Sequence, residues 1–533
     1  MSDKSARPFF IADTGLSLLV PAIVIVPLFL ESSPSEHILQ NEIWWTIART
    51  IAFATLVSIT TVTVAFTVAC SMFEVKTSFL RVCYALQMLP FLVGEATTTF
   101  IFKQILGSSS YLGQRLGGEA ETILVIAGVL RVWQFGSFCA VIYWLRIRNI
   151  PKKLDDYSSA VSMRVSEKVS KVYLPACAPL LVITFLFCFS FSTLEHFRLT
   201  YLFRASLGTN TELLDQLFVR TYHSLAVVDP IYAKKVIYQQ ARTALLIGVP
   251  VFAAICFCIV SLINRIASAT RSSLISRAFC CINSSVFRKA LVYVAIISTF
   301  LPFVVLFITF QFPQDIRVTQ FVTSLFLSAL AAFLVTAIAT LLSVAFRLAF
   351  LKRSAKMTFV LIALFTFWFS ATLVPRIALY LVGSQFLSNI QFSVFSTELM
   401  WVVGHVVLLT PLLLAFIVGI NTIVDSSELS YLDCYKSTAR EIYIYSFFKR
   451  LKLEYWLTFL VASSLIWNES TWNRIMSDSV PAFVSVLEMS MSGKKSDLSS
   501  AWFYAVIGCL VGVFTNVAWI VVARYRKYDL GLD

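Results

Sequence analysis

Charge is what this chain has least of. Only 14% of its 533 residues are Asp, Glu, Lys or Arg, where a soluble domain carries about a quarter. That scarcity excludes an ordinary water-soluble protein of this length. Histidine is rarer still: His37, His196, His223 and His405 are scattered without ligand spacing, and no metal centre is read from them. Glycine stands at 17 residues, and no glycine-rich phosphate cradle is present. The nearest approach, "SGKKS" at Ser492–Ser496, has Glu488 where a phosphate loop needs its first glycine. The chain is therefore expected not to hydrolyse nucleotide itself. No clustered His, Asp or Ser set suggests catalysis, and no cofactor is expected. None of the eleven cysteines falls in an outer loop, which excludes a disulfide framework. They read as small apolar packing residues.

What the chain has instead is grease. Hydrophobic residues make up 58%, Phe alone accounts for 47 positions, and mean hydropathy is +0.81. A bilayer core about 30 Å thick needs roughly 20 apolar residues per helical span. About twelve such stretches are predicted, at 13–30, 45–70, 80–106, 121–145, 174–195, 243–264, 290–311, 319–346, 357–384, 399–424, 454–468 and 500–523. The first follows "MSDKSARPFF" without a small-residue cleavage site and reads as a retained span.

The net charge of +14 could suggest nucleic acid, but its distribution follows membrane topology. With the N-terminus inside, about 28 of the 43 basic residues fall in alternate loops, as the positive-inside rule requires. The segment 31–42, "ESSPSEHILQNE", is acidic and falls outside. Both termini are then cytoplasmic, the partner surface is the lipid bilayer, and no nucleic-acid partner is expected.

The polar, basic stretch 271–289, "TRSSLISRAFCCINSSVFRK" from Thr270, separates about six spans on each side. The expected organisation is a first half over 1–270, a cytoplasmic connection over 271–289, and a second half over 290–533. Each half has an even number of spans, so the halves are parallel repeats. Each places its longest cytoplasmic loop between its fourth and fifth spans, at about 146–173 and about 421–453. The first loop contains "LDDYSSAVSMRVSEKVSKVYLP", Leu154–Pro175. The second contains "LDCYKSTAREIYIYSFFKRLK", Leu432–Lys452. Both begin with an acid after an apolar residue, continue with small residues and Tyr, and become amphipathic and basic. A polar helix tied at both ends to spans suits docking, because movement of a bound partner passes directly to those spans. Pro175, with no N–H to lose at a helix start, is expected to mark the break between docking segment and span.

These loops resemble the cytoplasmic loop of the membrane subunits of binding-protein-dependent ABC importers. That pattern runs Glu-Ala-Ala, three residues, Gly, then after about a dozen residues Leu-Pro. Set on Pro175, the Glu position holds Asp156, the alanines Tyr157 and Ser158, the glycine Ser162, and Leu174 precedes the proline. In the second copy Asp433 takes the acid position, Ala439 the glycine position, and Leu451 with Lys452 the Leu-Pro position. The fusion of two such halves resembles the iron(III) and thiamine permeases. "RTIAFATLVSITTVTVAFTVAC" (49–70) and "VTSLFLSALAAFLVTAIATLLSVAF" (322–346) resemble the span that opens each permease core.

The resemblance implies an all-α polytopic membrane protein of the type I ABC importer permease kind, with about 12 transmembrane helices in two six-helix repeats. It implies two ATP-binding cassette ATPase subunits and an extracytoplasmic substrate-binding protein as partners. It also implies a bacterial cytoplasmic (inner) membrane location, and iron(III), thiamine or another small solute as cargo, selected largely by the binding protein. ATPase coupling then falls to Asp156, Ser158, Ser162, Leu174, Pro175, Asp433, Ala439 and Leu451.

Ionisable residues at membrane depth are costly and are functional candidates. Glu95, Arg131, His405 and Glu469 are the candidates for a translocation path, with Arg376 a lesser one. For His405 a packed, hydrogen-bonded role competes with a path role. The competing functional class is a twelve-span ion-coupled carrier. Such carriers hold a Gly-rich, Asp-Arg-containing signature between spans two and three, whereas this chain has "MFEVKTSFLR" there.

Overall fold

The computed structural model describes residues 40–73, 86–106, 120–148, 161–193, 279–308, 318–351, 395–421, 447–467 and 495–525, with a few single positions between them. These residues are almost wholly helical. The helices are α1 (Gln40–Phe73), α2 (Leu89–Leu106), α3 (Ala120–Arg148), a short α4 (Val165–Lys168), α5 (Leu174–Ser192), α6 (Ser285–Ile308), α7 (Val318–Leu351), α8 (Phe395–Asn421), α9 (Lys449–Trp467) and α10 (Lys495–Tyr525). Each apolar stretch predicted over the described residues overlaps one of these helices. The stretches at 13–30 and 357–384 lie outside the described residues, and 243–264 almost wholly so.

Among the described residues, four segments are long and apolar enough to cross a bilayer: Trp44–Met72, Thr122–Arg148, Ser285–Ile308 and Val322–Val344. A fifth arises if Val165–Ala178 and Leu180–Ser192, bent by 69°, form one broken span. The protein is thus an all-α membrane protein. Its helices are built for lipid in a second respect. A hydroxyl in hydrocarbon has no water to bond, so it turns back to its own helix. Along α1, Ser58 donates to the Ala54 carbonyl at 2.6 Å, Thr61 to Val57 at 2.7 Å, Thr67 to Thr63 at 2.7 Å and Ser71 to Thr67 at 2.9 Å. The Ser/Thr-rich stretch beginning at Arg49 is therefore compatible with an apolar surrounding.

The described chain forms two compact units. One comprises 1–47, 214–250 and 317–486; the other comprises 48–213, 251–316 and 487–533. In the first, α7, α8 and α9 pack on one another. In the second, α2 is the central element, with α3, α6 and α10 against it and α5 against α3. Packing units and sequence halves are thus different divisions: α6 and α10, from the later part of the chain, pack with helices of the earlier part.

Side chains explain the second unit. Phe91 of α2 stacks on Phe138 of α3 at 4.1 Å. Phe135, Phe187 and Phe191 join them, with ring centroids 5.0–5.8 Å apart. Aromatic pairs at such spacings contribute beyond their buried area. Between α3 and α5, the Tyr143 and Thr184 hydroxyls are hydrogen-bonded, and the Cys139 and Cys188 sulfurs lie 3.9 Å apart. Trp133 ties α3 to α6 by donating its indole N–H to the Ser298 carbonyl at 2.9 Å.

α10 runs against α2, with Trp502 edge-on to Phe100 and the Asn516 amide donating to the Leu86 carbonyl at 3.1 Å. Between these contacts lies Gly512. A Cβ there would stand 3.0 Å from Val93 Cγ2 and 3.3 Å from the Val93 backbone nitrogen. The side chain can shift, but the backbone cannot without moving the helix, so close approach of α2 and α10 requires glycine. Gly512→Leu should therefore destabilise the protein by about 1–3 kcal/mol, read as a lowered unfolding temperature in detergent. An unchanged temperature would contradict this packing.

Candidate functional site

The polar segment before α5 is described from Val161 onward. Val161 and Ser162 form a turn, and Met163 and Arg164 are non-helical. Arg164, at φ −63° and ψ 152°, precedes α4 and makes no side-chain cap of its own. Among the described residues, Ser162 alone of the non-glycine residues has a left-handed backbone, at φ +51°. An L-residue other than glycine pays roughly 1–2 kcal/mol to sit there. Ser162 is also the residue aligned with the pattern's glycine. The side chain differs, while the backbone shape that glycine favours is present.

Past the turn, α4 passes into a π turn at Val169–Tyr173 and then into α5. This corrects the expectation of a single polar helix: residues 161–164 are non-helical, and Glu167 lies beyond them in α4. Leu174 is helical and buried, and Pro175 lies in the first turn of α5, where the polar segment gives way to the apolar helix. The tighter constraint comes later, where the axes of 165–178 and 180–192 diverge around Pro179, a residue without an N–H for the helix. Proline early in a helix displaces no hydrogen bond, whereas one further in does.

The segment is held to the bundle at several points. Arg146, in the last turn of α3, donates its Nε–H to the Ala176 carbonyl at 3.2 Å. The Lys168 ammonium sits 5.7 Å from the centroid of the buried Tyr173 ring. Asn283, on a tight turn at Cys280–Asn283 just before α6, reaches the start of α4. Its Oδ1 accepts from the Ser166 backbone N–H at 2.9 Å, and its Nδ2 donates to the Ser166 hydroxyl at 3.1 Å. Sequence reasoning missed Asn283. Asn and Ser in a polar connection are ordinary, and no periodicity links positions this far apart in the chain.

Of the other coupling candidates, Asp156, Ser158, Asp433 and Ala439 lie outside the described residues, and Leu451 falls in the first turns of α9.

Among the path candidates, the structure joins two that the sequence named separately. Arg131 of α3 donates from Nη2 to Glu95 Oε1 of α2 at 3.4 Å, with the side chains 1% and 13% exposed. The guanidinium also lies 5.2 Å from the Phe135 centroid, beside the phenylalanine cluster. A lone charge here would be prohibitive; opposite charges in contact offset much of that cost. Arg131 therefore does not snorkel to an interface. Thr97 and Thr99 of α2 are buried nearby in sequence.

His405 lies elsewhere, on α8. It is buried, with Nδ1 2.9 Å from the Trp401 carbonyl and its ring 4.1 Å from the Trp401 ring. Glu469 and Arg376 lie outside the described residues. Among the described residues no group of three His, Cys, Asp or Glu side chains is placed to hold a metal.

No family model, curated protein or solved structure matches this chain.

The ion pair makes a quantitative prediction. Glu95→Gln removes the negative charge that Arg131 faces and should cost roughly 3–5 kcal/mol. Adding Arg131→Met should recover most of that loss. Thermal unfolding of both variants in detergent checks this. An equal loss in the single and double variants would contradict the pairing.

Proposed function

We propose that this chain is the membrane permease of an ATP-driven importer, with its first cytoplasmic loop seated on an ATPase subunit. The observation that carries the reading is the left-handed backbone at Ser162. Composition and apolar helices alone would suit many membrane proteins. A strained non-glycine turn at the position of the pattern's glycine, thirteen residues before Pro175, is a narrower coincidence. Strain of that kind persists where surrounding structure enforces it, and it concentrates at functional segments.

On this reading the chain holds twelve spans in two parallel repeats, with both termini in the cytoplasm of a bacterial inner membrane. Asp156 and Asp433 accept charge-assisted hydrogen bonds from the ATPase grooves. Each loop, tied to the spans on either side, converts ATPase motion into exchange between inward- and outward-open states. A separate binding protein delivers the solute, iron(III) or thiamine being the classes that the resemblance implies. The Glu95–Arg131 pair lowers the appeal of Glu95 as a bare carboxylate awaiting a cation. Its role is the electrostatic joint between α2 and α3.

That pair also gives the rival reading, an ion-coupled carrier, its best support, since buried carboxylate–guanidinium pairs can trade protons or ions. Uptake in inverted or right-side-out vesicles separates the two: the importer needs ATP and its ATPase, the carrier only an ion gradient.

The turn itself supplies the mutational test. Ser162→Gly relieves the strain and should keep ATPase association and transport. Ser162→Val, β-branched in the left-handed region, should cost on the order of 1–2 kcal/mol locally and release the ATPase during purification in mild detergent. Asp156→Lys should also uncouple hydrolysis from transport, whereas lipid docking of the loop would leave that change harmless. Equal ATPase retention in wild type and all three variants would sink the assignment.

A further inference from the structure

The start of α4 is not held by its own residues alone. α4 is a single turn, and its N-cap residue Arg164 contributes no side-chain cap. The first N–H groups of a helix need acceptors, and here one comes from far along the chain. Asn283 Oδ1 takes the Ser166 N–H at 2.9 Å and Asn283 Nδ2 gives a hydrogen to the Ser166 hydroxyl at 3.1 Å. One side chain thus reads both the backbone and the side chain of Ser166, which is buried.

The clamp is also rigidly mounted. The Arg288 guanidinium, on the first turn of α6, donates to the Ile282 carbonyl and to the Asn283 carbonyl at 3.2 Å. Ile282 is buried, and the Phe279 ring packs edge-on to Phe66 of α1. Ser284 caps α6 by accepting from the Phe287 N–H at 3.3 Å. The backbone that carries the Asn283 side chain is thereby hydrogen-bonded to the first turn of α6. A displacement of α6 is carried to the start of α4, and from there through the π turn into α5.

We propose that Asn283 is a positioning residue that sets the first ATPase-docking turn from the connection between the two sequence halves. The consequence is a cross-connection. The docking turn of the first half follows the first described helix of the second, so the two halves are coupled on the cytoplasmic side independently of the ATPase dimer. The proposal rests on the importer reading for what the turn docks to, but not for the clamp itself.

The test uses Asn283→Asp, Asn283→Leu and Ser166→Ala in the full chain. Aspartate keeps the acceptor for the Ser166 N–H, and the Ser166 hydroxyl can turn to donate to its second oxygen. Leucine matches the shape and offers no hydrogen bond. Two readouts are needed. Hydrogen exchange over 165–173 in the purified permease alone should rise about tenfold for Asn283→Leu, less for Ser166→Ala, and stay at the wild-type rate for Asn283→Asp. In the reconstituted complex, Asn283→Leu should lower substrate-stimulated ATP hydrolysis while leaving unstimulated hydrolysis unchanged, and Asn283→Asp should restore it.

Wild-type exchange in Asn283→Leu would overturn the clamp. Faster exchange with unaltered stimulation would overturn its positioning role. Wild-type permease that binds no ATPase would overturn the importer reading and the docking half of the proposal. Because exchange is measured without the ATPase, that last outcome is distinguishable from a failed clamp.

Discussion

A bilayer supplies no water to a stray amide, hydroxyl or charge, and this chain is shaped by that constraint. Helices satisfy their own backbones. Ser58, Thr61, Thr67 and Ser71 of α1 bond back to carbonyls four residues earlier. The buried arginine of α3 meets the glutamate of α2. Where α2 and α10 approach closely, a glycine occupies the contact. Without internal satisfaction at each of these points, the apolar helices would be too polar for lipid. With it, polar residues can specify which helix meets which.

The same constraint relaxes outside the apolar spans, and there the chain does something different. The loop before α5 turns through a left-handed residue, Ser162, runs through two non-helical residues, and starts a helix that depends on a distant asparagine. None of this is needed to cross a membrane. A loop that served only as a connection between spans would need neither the strained turn nor the clamp. Both make sense if the segment must present a defined surface and pass motion onward. The Arg146 bond to the Ala176 carbonyl ties the start of α5, into which the segment runs, to α3.

Much of the fold was legible because apolar runs long enough to span are a strong, local signal. The helices at 45–70, 121–145, 290–311 and 319–346 follow from composition alone. What composition cannot carry is which runs pack together. α6 and α10 lie late in the sequence and pack with α2. Gly512 opposite Val93 joins α10 to α2, and Trp133 reaching Ser298 joins α6 to α3, contacts between positions with no sequence relation. The site was half legible for the same reason. Glu95 and Arg131 each stood out as a costly charge, but only folding makes them a pair. Ser162 was placed by its spacing from Pro175, but its left-handed backbone was not legible, because the glycine that favours it is absent. The bend between 165–178 and 180–192 was not legible, because proline's effect depends on its depth in a helix, which sequence does not reveal. Asn283 was invisible, since its importance lies wholly in one contact.

The most direct measurement is photo-cross-linking from Val161, which is 52% exposed beside the Ser162 turn. With a benzophenone side chain at this position in native membranes, the expected product joins the chain to an ATP-binding subunit. The same position should be shielded from an impermeant reagent added to intact cells. Adducts with lipid alone, or labelling from outside the cell, would contradict a cytoplasmic docking loop and the importer built on it.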